Sequence, residues 1–351
     1  MFRFLTSTCL PVLGFWWVSL LPVSGVEPGE EVELDVVWPT PNPAFLQGKP
    51  LETFIQPTVS GRTESALFGC VRNGGARFHE GLDLKTLGRD SRNEATDPIY
   101  AAFRGRVVHI NKTAGHSSYG RYLVLEHRDL YPAVYTLYAH LARVADGLTV
   151  GDQVEAGQTI GIMGRSAGGY SIPKSRAHLH FEIGLRLSDD FQSWYSAKGF
   201  GSRNEHGLWN GMNLIGMDPL DFFRELLGGR VLGPFGYIDN QPTACSLRIF
   251  TQEIPDFVKR YPELIAGELR ADSLVAWDID FTWYNMPIRW VPRYQEDIGT
   301  GKPGSLQLIS FDREEVERQR CRRVLQFSGN RVLLGSGLKQ VLEILFEMYR
   351  G

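Results

Sequence analysis

Between about residues 61 and 225 the hydrophobic positions come in short runs separated by glycine and other turn residues. "PIYAAFRGRVVHI", "RYLVLEHR", "AVYTLYAHL", "TIGIMG" and "AHLHFEIGL" are dominated by Val, Ile, Tyr and Phe, the composition of strands bounded by turns. The pattern predicts an antiparallel β domain over 61–228, with "MDPLDFFRELL" at 217–227 as its helical edge. Residues 26–60 are Pro-rich and only locally strand-like, and read as an extended lead-in. Residues 185–216 break the rhythm with a long polar and aromatic excursion, and loops of that length in a compact domain are functional or mobile. From 229 to 351 the text reads as an α+β region. Strand-like "SLRIFTQEI", "SLVAWDIDFTWYNMPIRWV" and "SLQLISFD" are followed by "REEVERQRCRRVLQF" at helical spacing and by a closing amphipathic helix in "GLKQVLEILFEMYR". The aromatics Trp277, Trp283, Tyr284 and Trp290 read as core at strand spacing. A surface that binds glycan or protein, or a cap over a catalytic groove, are the alternatives.

Residues 1–25 stand apart. Arg3, an apolar centre, and the short residues Val23 and Gly25 have the layout of a secretory signal peptide cleaved after Gly25. Pro11, Pro22 and the short apolar run argue against an uncleaved anchor, and no later run is long enough to span a bilayer. The expectation is an exported protein of the periplasm, cell envelope or extracellular space, without stable membrane insertion after cleavage. Cys70, Cys245 and Cys321 then remain, an odd number that cannot all pair in one chain. A Cys245–Cys321 bridge with Cys70 free is one expectation, and three buried thiols the other. The formal net charge of −3 and 22% charged residues show no basic excess, which argues against a nucleic-acid binder.

The chemistry concentrates in "SRAHLHFEIG". Alternate residues of a strand share a face, so His178, His180 and Glu182 converge on one surface. "RFHEGLDL" supplies His79 and Asp83, and "LYAHLARV" supplies His140. Imidazoles with a carboxylate suit zinc, which takes nitrogen and oxygen ligands and in catalytic sites keeps one position open. Three of the five groups can hold the ion, leaving two imidazoles to move protons. A helical His-Glu-x-x-His metalloprotease does not fit, because the i+4 residue is Asp83 and Gly81 lies inside the motif. His109, His116, His127 and His206 lack such company; His127 reads as packed in the sheet and His206 as a solvated loop residue.

In order and spacing, "FHEGLDL", "YAHL" and "HLHFE" resemble the lysostaphin/LytM-type zinc metallopeptidases of family M23. "DPIYAAFRGRVV", "LTVGDQVEAGQTIGIMGRSAG" and "MDPLDFF" resemble the family's intervening and closing segments, so the likeness covers roughly residues 65–225. The resemblance implies an antiparallel, duplicated-hybrid-motif-like peptidase domain in a mostly β protein. It implies one zinc ion per chain held by His79, Asp83 and His180, with His140 and His178 as the catalytic histidines. Glu182 is the candidate to orient a histidine from behind; a structural carboxylate is its alternative role.

The resemblance further implies an exported zinc endopeptidase whose substrate is a peptidoglycan peptide, in cross-links or stem peptides. An extracellular protein substrate, and a non-catalytic wall-binding or hydrolase-activating protein, are the competing readings. "GRSAGGYSIPKSRAHLH" makes a longer and more basic approach to the paired histidines than the family's Thr/Ser-Gly lead, which bears on substrate preference. A biotinyl- or lipoyl-type carrier is excluded because the "EAGQ" hairpin tip offers no lysine.

Overall fold

Three antiparallel sheets build the first half of the protein. The structure, a computed structural model, describes residues 34–299 and 301–347. The expected signal peptide lies outside the described residues. Along the chain come β1 (Gly69–Arg72), β2 (Arg77–His79), β3 (Leu82–Lys85), β4 (Pro98–Tyr100), β5 (Gly105–Asn111), β6 (Tyr122–His127) and β7 (Val134–Ala139). They continue with β8 (Arg143–Val144), β9 (Gln153–Val154), β10 (Thr159–Ile162), β11 (His178–Arg186) and β12 (Leu214–Met217). The largest sheet runs β12-β11-β7-β6-β5-β9, with β3 also pairing with β11; β1-β2 and β4-β10-β8 are separate. The predicted mostly β, antiparallel domain is therefore present.

The nine residues of β11 show why the site sits where it does. Leu179, Phe181, Ile183 and Leu185 enter the main core, while His178, His180, Glu182 and Gly184 occupy the other face by alternation. On that second face Tyr122, Val124, Tyr135, Leu137 and Ala139 form a smaller apolar cluster roofed by Trp209 and Leu214 of the excursion.

The excursion is not a long loop. It contains α1 (Phe191–Lys198), whose Phe191, Trp194 and Tyr195 are buried at helical spacing. Gly199 follows at φ 61°, the left-handed C-terminal cap that glycine supplies. His206 is buried too, against Tyr122 and His109, and not solvated. The expected helix near 217–227 is α2 (Pro219–Leu227), with the Asp218 carboxylate accepting from the Leu220 and Asp221 amides. The described part of the lead-in packs into the core through Trp38, Phe54 and Ile55; Trp38 stands edge-on to Phe223 of α2 at 5.2 Å.

The C-terminal region adds α3 (Pro234–Asp239), β13 (Cys245–Phe250), α4 (Asp256–Arg260), β14 (Leu274–Phe281), β15 (Pro287–Tyr294) and α5 (Gln295–Ile298). β16 (Leu306–Phe311), α6 (Arg313–Arg318), β17 (Leu325–Ser328), β18 (Arg331–Leu334) and α7 (Ser336–Leu345) complete it. The sheet order is β15-β14-β13-β16, all antiparallel, beside a β17-β18 hairpin. This is the expected α+β region, and Trp277, Trp283, Tyr284 and Trp290 are all buried in it, so they are not a surface for glycan. The expected closing amphipathic helix is α7, which buries Leu338, Val341, Leu342, Ile344 and Leu345.

The expected Cys245–Cys321 bridge is overturned. Cys70 of β1 pairs with Cys321, their Cα atoms 5.8 Å apart, while Cys245 is a free thiol buried inside β13. Burial pushes that thiol up to about 12. The pairing follows from docking of the 319–322 segment on β1, where Gln319 Oε1 also accepts from the Cys70 amide at 2.6 Å. Residues 34 onward form one compact unit. No helix among the described residues is long and apolar enough to cross a membrane.

Candidate metal and catalytic site

Register brings the first and last motifs together. His180 pairs across the ladder with Asp83 of β3 on one side and with Ala139 of β7 on the other. Directly opposed residues point to the same face, so Asp83 and His180 meet and small Ala139 leaves room beside them. His79 arrives from the end of β2, one tight turn before β3. His79 Nε2, His180 Nδ1 and Asp83 Oδ1 then form a triangle with sides of 3.0, 3.1 and 3.1 Å. All three side chains are buried.

Each histidine's other nitrogen is already committed. His79 Nδ1 donates to the Leu67 carbonyl at 2.8 Å, and His180 Nε2 donates to Glu182 Oε1 at 2.8 Å. Two imidazole lone pairs and a carboxylate oxygen therefore converge on one point, a mutually repulsive arrangement unless a cation sits among them. The donor set of two nitrogens and one oxygen fits zinc. Electrostatics agree. Burial opposes charge on Asp83, yet His79, His178 and hydrogen bonds from His180 and His79 hold its carboxyl well below the usual range. Burial likewise opposes charge on His180, but the Asp83 and Glu182 carboxylates override it and push the ring up to about 9.

Glu182, on the same strand face as His180, accepts from its Nε2. Its carboxylate also accepts from Tyr119 Oη at 2.6 Å and Tyr135 Oη at 3.0 Å, which fixes the acceptor in place. Burial opposes its charge, but the His180 and tyrosine hydrogen bonds keep its pKa below the ordinary value.

His140 and His178 stand beside the triangle, their ring centroids 4.8 Å apart. His140 directly follows β7 in the left-handed backbone region at φ 61°, its amide donating to the Tyr119 carbonyl. His140 Nδ1 donates to the Ser166 carbonyl at 2.8 Å, and His178 Nδ1 to the Arg176 carbonyl at 2.7 Å. Both rings are thereby held with Nε2 as the free acceptor. His178 Nε2 lies 3.6 Å from Asp83 Oδ2. Burial, then the neighbouring His178 and His180, pushes His140 well below the ordinary imidazole value; burial also lowers His178, against the pull of Asp83. Both are neutral bases near pH 7.

The structure thus gathers all five predicted groups and Glu182. Sequence reading missed Arg72, whose Nη2 holds Asp83 Oδ2 at 2.6 Å and leaves Oδ1 to the histidines. It also missed Tyr119 and Tyr135. These residues lie outside the histidine motifs and reach the site through folding alone. Over the triangle lies a cavity of about 290 Å³, and Arg77, Phe78, Glu80, Ser118 and Tyr119 continue from it into a larger cleft of about 640 Å³.

A profile of peptidase family M23 matches residues 77–190. Among solved structures, the catalytic domain of lysostaphin, an antimicrobial peptidase of Staphylococcus simulans, is 23% identical, over 43% of this chain and 82% of that one, with TM-score 0.27. The catalytic domain of the prophage-encoded M23 protein EnpA of Enterococcus faecalis is 22% identical, over 37% and 80%, with TM-score 0.27. A zinc-containing peptidase of Vibrio cholerae is 27% identical, over 37% of this chain and 35% of that one, with TM-score 0.26. No curated protein matches the chain. The profile match, spanning the first and last motifs, identifies an M23-family metallopeptidase domain within this protein.

Proposed function

We propose that the protein is an exported zinc metalloendopeptidase that hydrolyses peptide bonds of peptidoglycan. The observation that carries this reading is the convergence of His79 Nε2, Asp83 Oδ1 and His180 Nδ1 on one point, with two neutral imidazoles beside it. Those three atoms would hold the ion. A zinc ion with an open position supplies Lewis acidity at neutral pH.

The chain's own residues do the rest. The free Nε2 atoms of His140 and His178 take the proton of the attacking water and return one to the departing amine, as bases whose charge burial disfavours. Once protonated, either ring is a donor to the oxyanion that forms on the scissile carbonyl. Tyr119, Tyr135 and Glu182 keep the His180 tautomer fixed. The Cys70–Cys321 bridge supports export, since structural disulfides persist in oxidising compartments. A cleft open to an extended, polar peptide supports the wall substrate.

The test is metal content and digestion of purified sacculi, with casein as a control. The parent protein should contain about one zinc per chain and release soluble muropeptides. His180→Ala should lose both metal and activity; His140→Ala should keep the metal and lose activity on the order of 10²-fold or more. Cleavage of casein alone removes the wall assignment, and full turnover by either variant removes the assigned role.

A further inference from the structure

The larger cleft has a wall that the matched family segment does not supply. Its far side is Tyr284, Arg322, Gly337 and Gln340 of the C-terminal region. Arg322 follows directly on Cys321, so the bridge to β1 fixes its backbone beside the first motif. Asn285 Nδ2 donates to the Arg322 carbonyl at 2.9 Å. The backbone at Gly337 lies flush against this carbonyl, since a Cβ there would come within 1.9 Å of it.

The side chain is held as firmly. Its guanidinium stacks 4.5 Å above the ring of Phe78, the residue before His79. Its Nε donates to the Tyr284 carbonyl at 3.2 Å. Arg322 lines the cleft, and among the described residues no carboxylate forms an ion pair with its terminal nitrogens. The Arg322 guanidinium feels the charge of Glu80, and although burial lowers the arginine's pKa it stays charged. Arg77 and Arg203 line the same cleft, against Glu80 and Glu205, so cations exceed acids there. The planar fork of a guanidinium matches a carboxylate bidentately. A chain of neutral residues such as glycine offers this fork no anionic partner; a residue with a carboxylate does.

We propose that Arg322 is a specificity-determining residue that binds a carboxylate on the substrate peptide, next to the bond that is cut. The substrate is thus an acidic stem-type peptide, not a neutral glycine bridge. This rests on the reading that the cleft takes peptidoglycan peptides. The test is calorimetric titration of the intact chain with an uncross-linked stem peptide bearing free carboxylates, and with the same peptide amidated. The free acid should bind tenfold or more tighter. Arg322→Gln should abolish the ratio while affecting the amide little, and Arg322→Lys should restore part of it. Should Arg322→Gln misfold, the parent chain still decides, because its preference for the acid must be present and must shrink with rising salt. Equal binding of acid and amide by the parent chain, or equal loss of both in Arg322→Gln, overturns the proposal. Discrimination without digestion of sacculi would sink the peptidase reading and leave the carboxylate site standing; digestion without discrimination would do the reverse.

Discussion

At the scale of single residues, what a histidine can do is decided by what its second nitrogen finds. His127 has both nitrogens engaged inside the sheet, Nδ1 with the Arg104 carbonyl and Nε2 with Thr136 Oγ1, and burial lowers it to about 4. In the unfolded chain the ordinary value is about 6.5. Between those two values the unfolded state binds more protons, so stability is full above about 6.5 and declines as pH falls towards about 4. Urea unfolding at about pH 7 and about pH 5 should differ by roughly 2 kcal/mol from this residue. In His127→Gln the pH slope should flatten by that amount, and an unchanged slope would show the ring is not the cause. The sequence made this histidine legible as a packed one, and it made His178, His180 and Glu182 legible as one face, because period two alone decides both. Arg72 and Tyr135 were not legible. Nothing in "CVRNGG" or "AVYTLY" tells that the chain will fold a guanidinium onto Asp83 or a phenol onto Glu182.

At the scale of elements, the metal triangle depends on how closely β3 approaches β11. Gly81 sits at the turn between β2 and β3, where a Cβ would lie 2.2 Å from the Phe181 carbonyl oxygen. Even one methyl must therefore push the two strands apart and move Asp83 away from His180. Gly81→Ala should lose metal affinity tenfold or more, measured by chelator competition, while its size in solution stays that of the parent. Unchanged affinity would mean that the turn yields without cost. The strands were readable because several alternating runs agree, and α2 because its Asp-Pro start and apolar stripe coincide. α1 was not, although its three buried aromatics keep helical spacing. Eight residues set among Ser, Asp, Lys and Gly carry too little pattern to stand out from loop text. In "REEVERQRCRRVLQF" the helix stops at Arg318 and a strand begins at Leu325, because Cys321 is drawn to β1.

At the scale of the whole molecule, the C-terminal region is docked on the segments that carry the first motif. Phe68 and Phe78 meet Tyr284 and Trp283 edge-on at 5.3 and 6.0 Å, and Tyr261 Oη accepts from the Arg186 amide at 3.0 Å. The bridge adds a covalent tie to this docking. Cys70→Ser or Cys321→Ser should each cost about 2–5 kcal/mol in denaturant unfolding under oxidising conditions. Cys245→Ser leaves the bridge intact and should differ from both, and similar losses in all three would contradict the pairing. The sequence could not choose this partner, since a separation of 251 residues is closed only by tertiary docking.

That same bond closes a covalent ring of backbone, and His79, Asp83, His140, His178 and His180 all lie on it. A nick by a foreign protease anywhere between residues 71 and 320 opens the ring without severing it, so the pieces stay joined and the groove stays assembled. In an oxidising compartment, such damage would accumulate on the molecule without dismantling it until a reductant arrives.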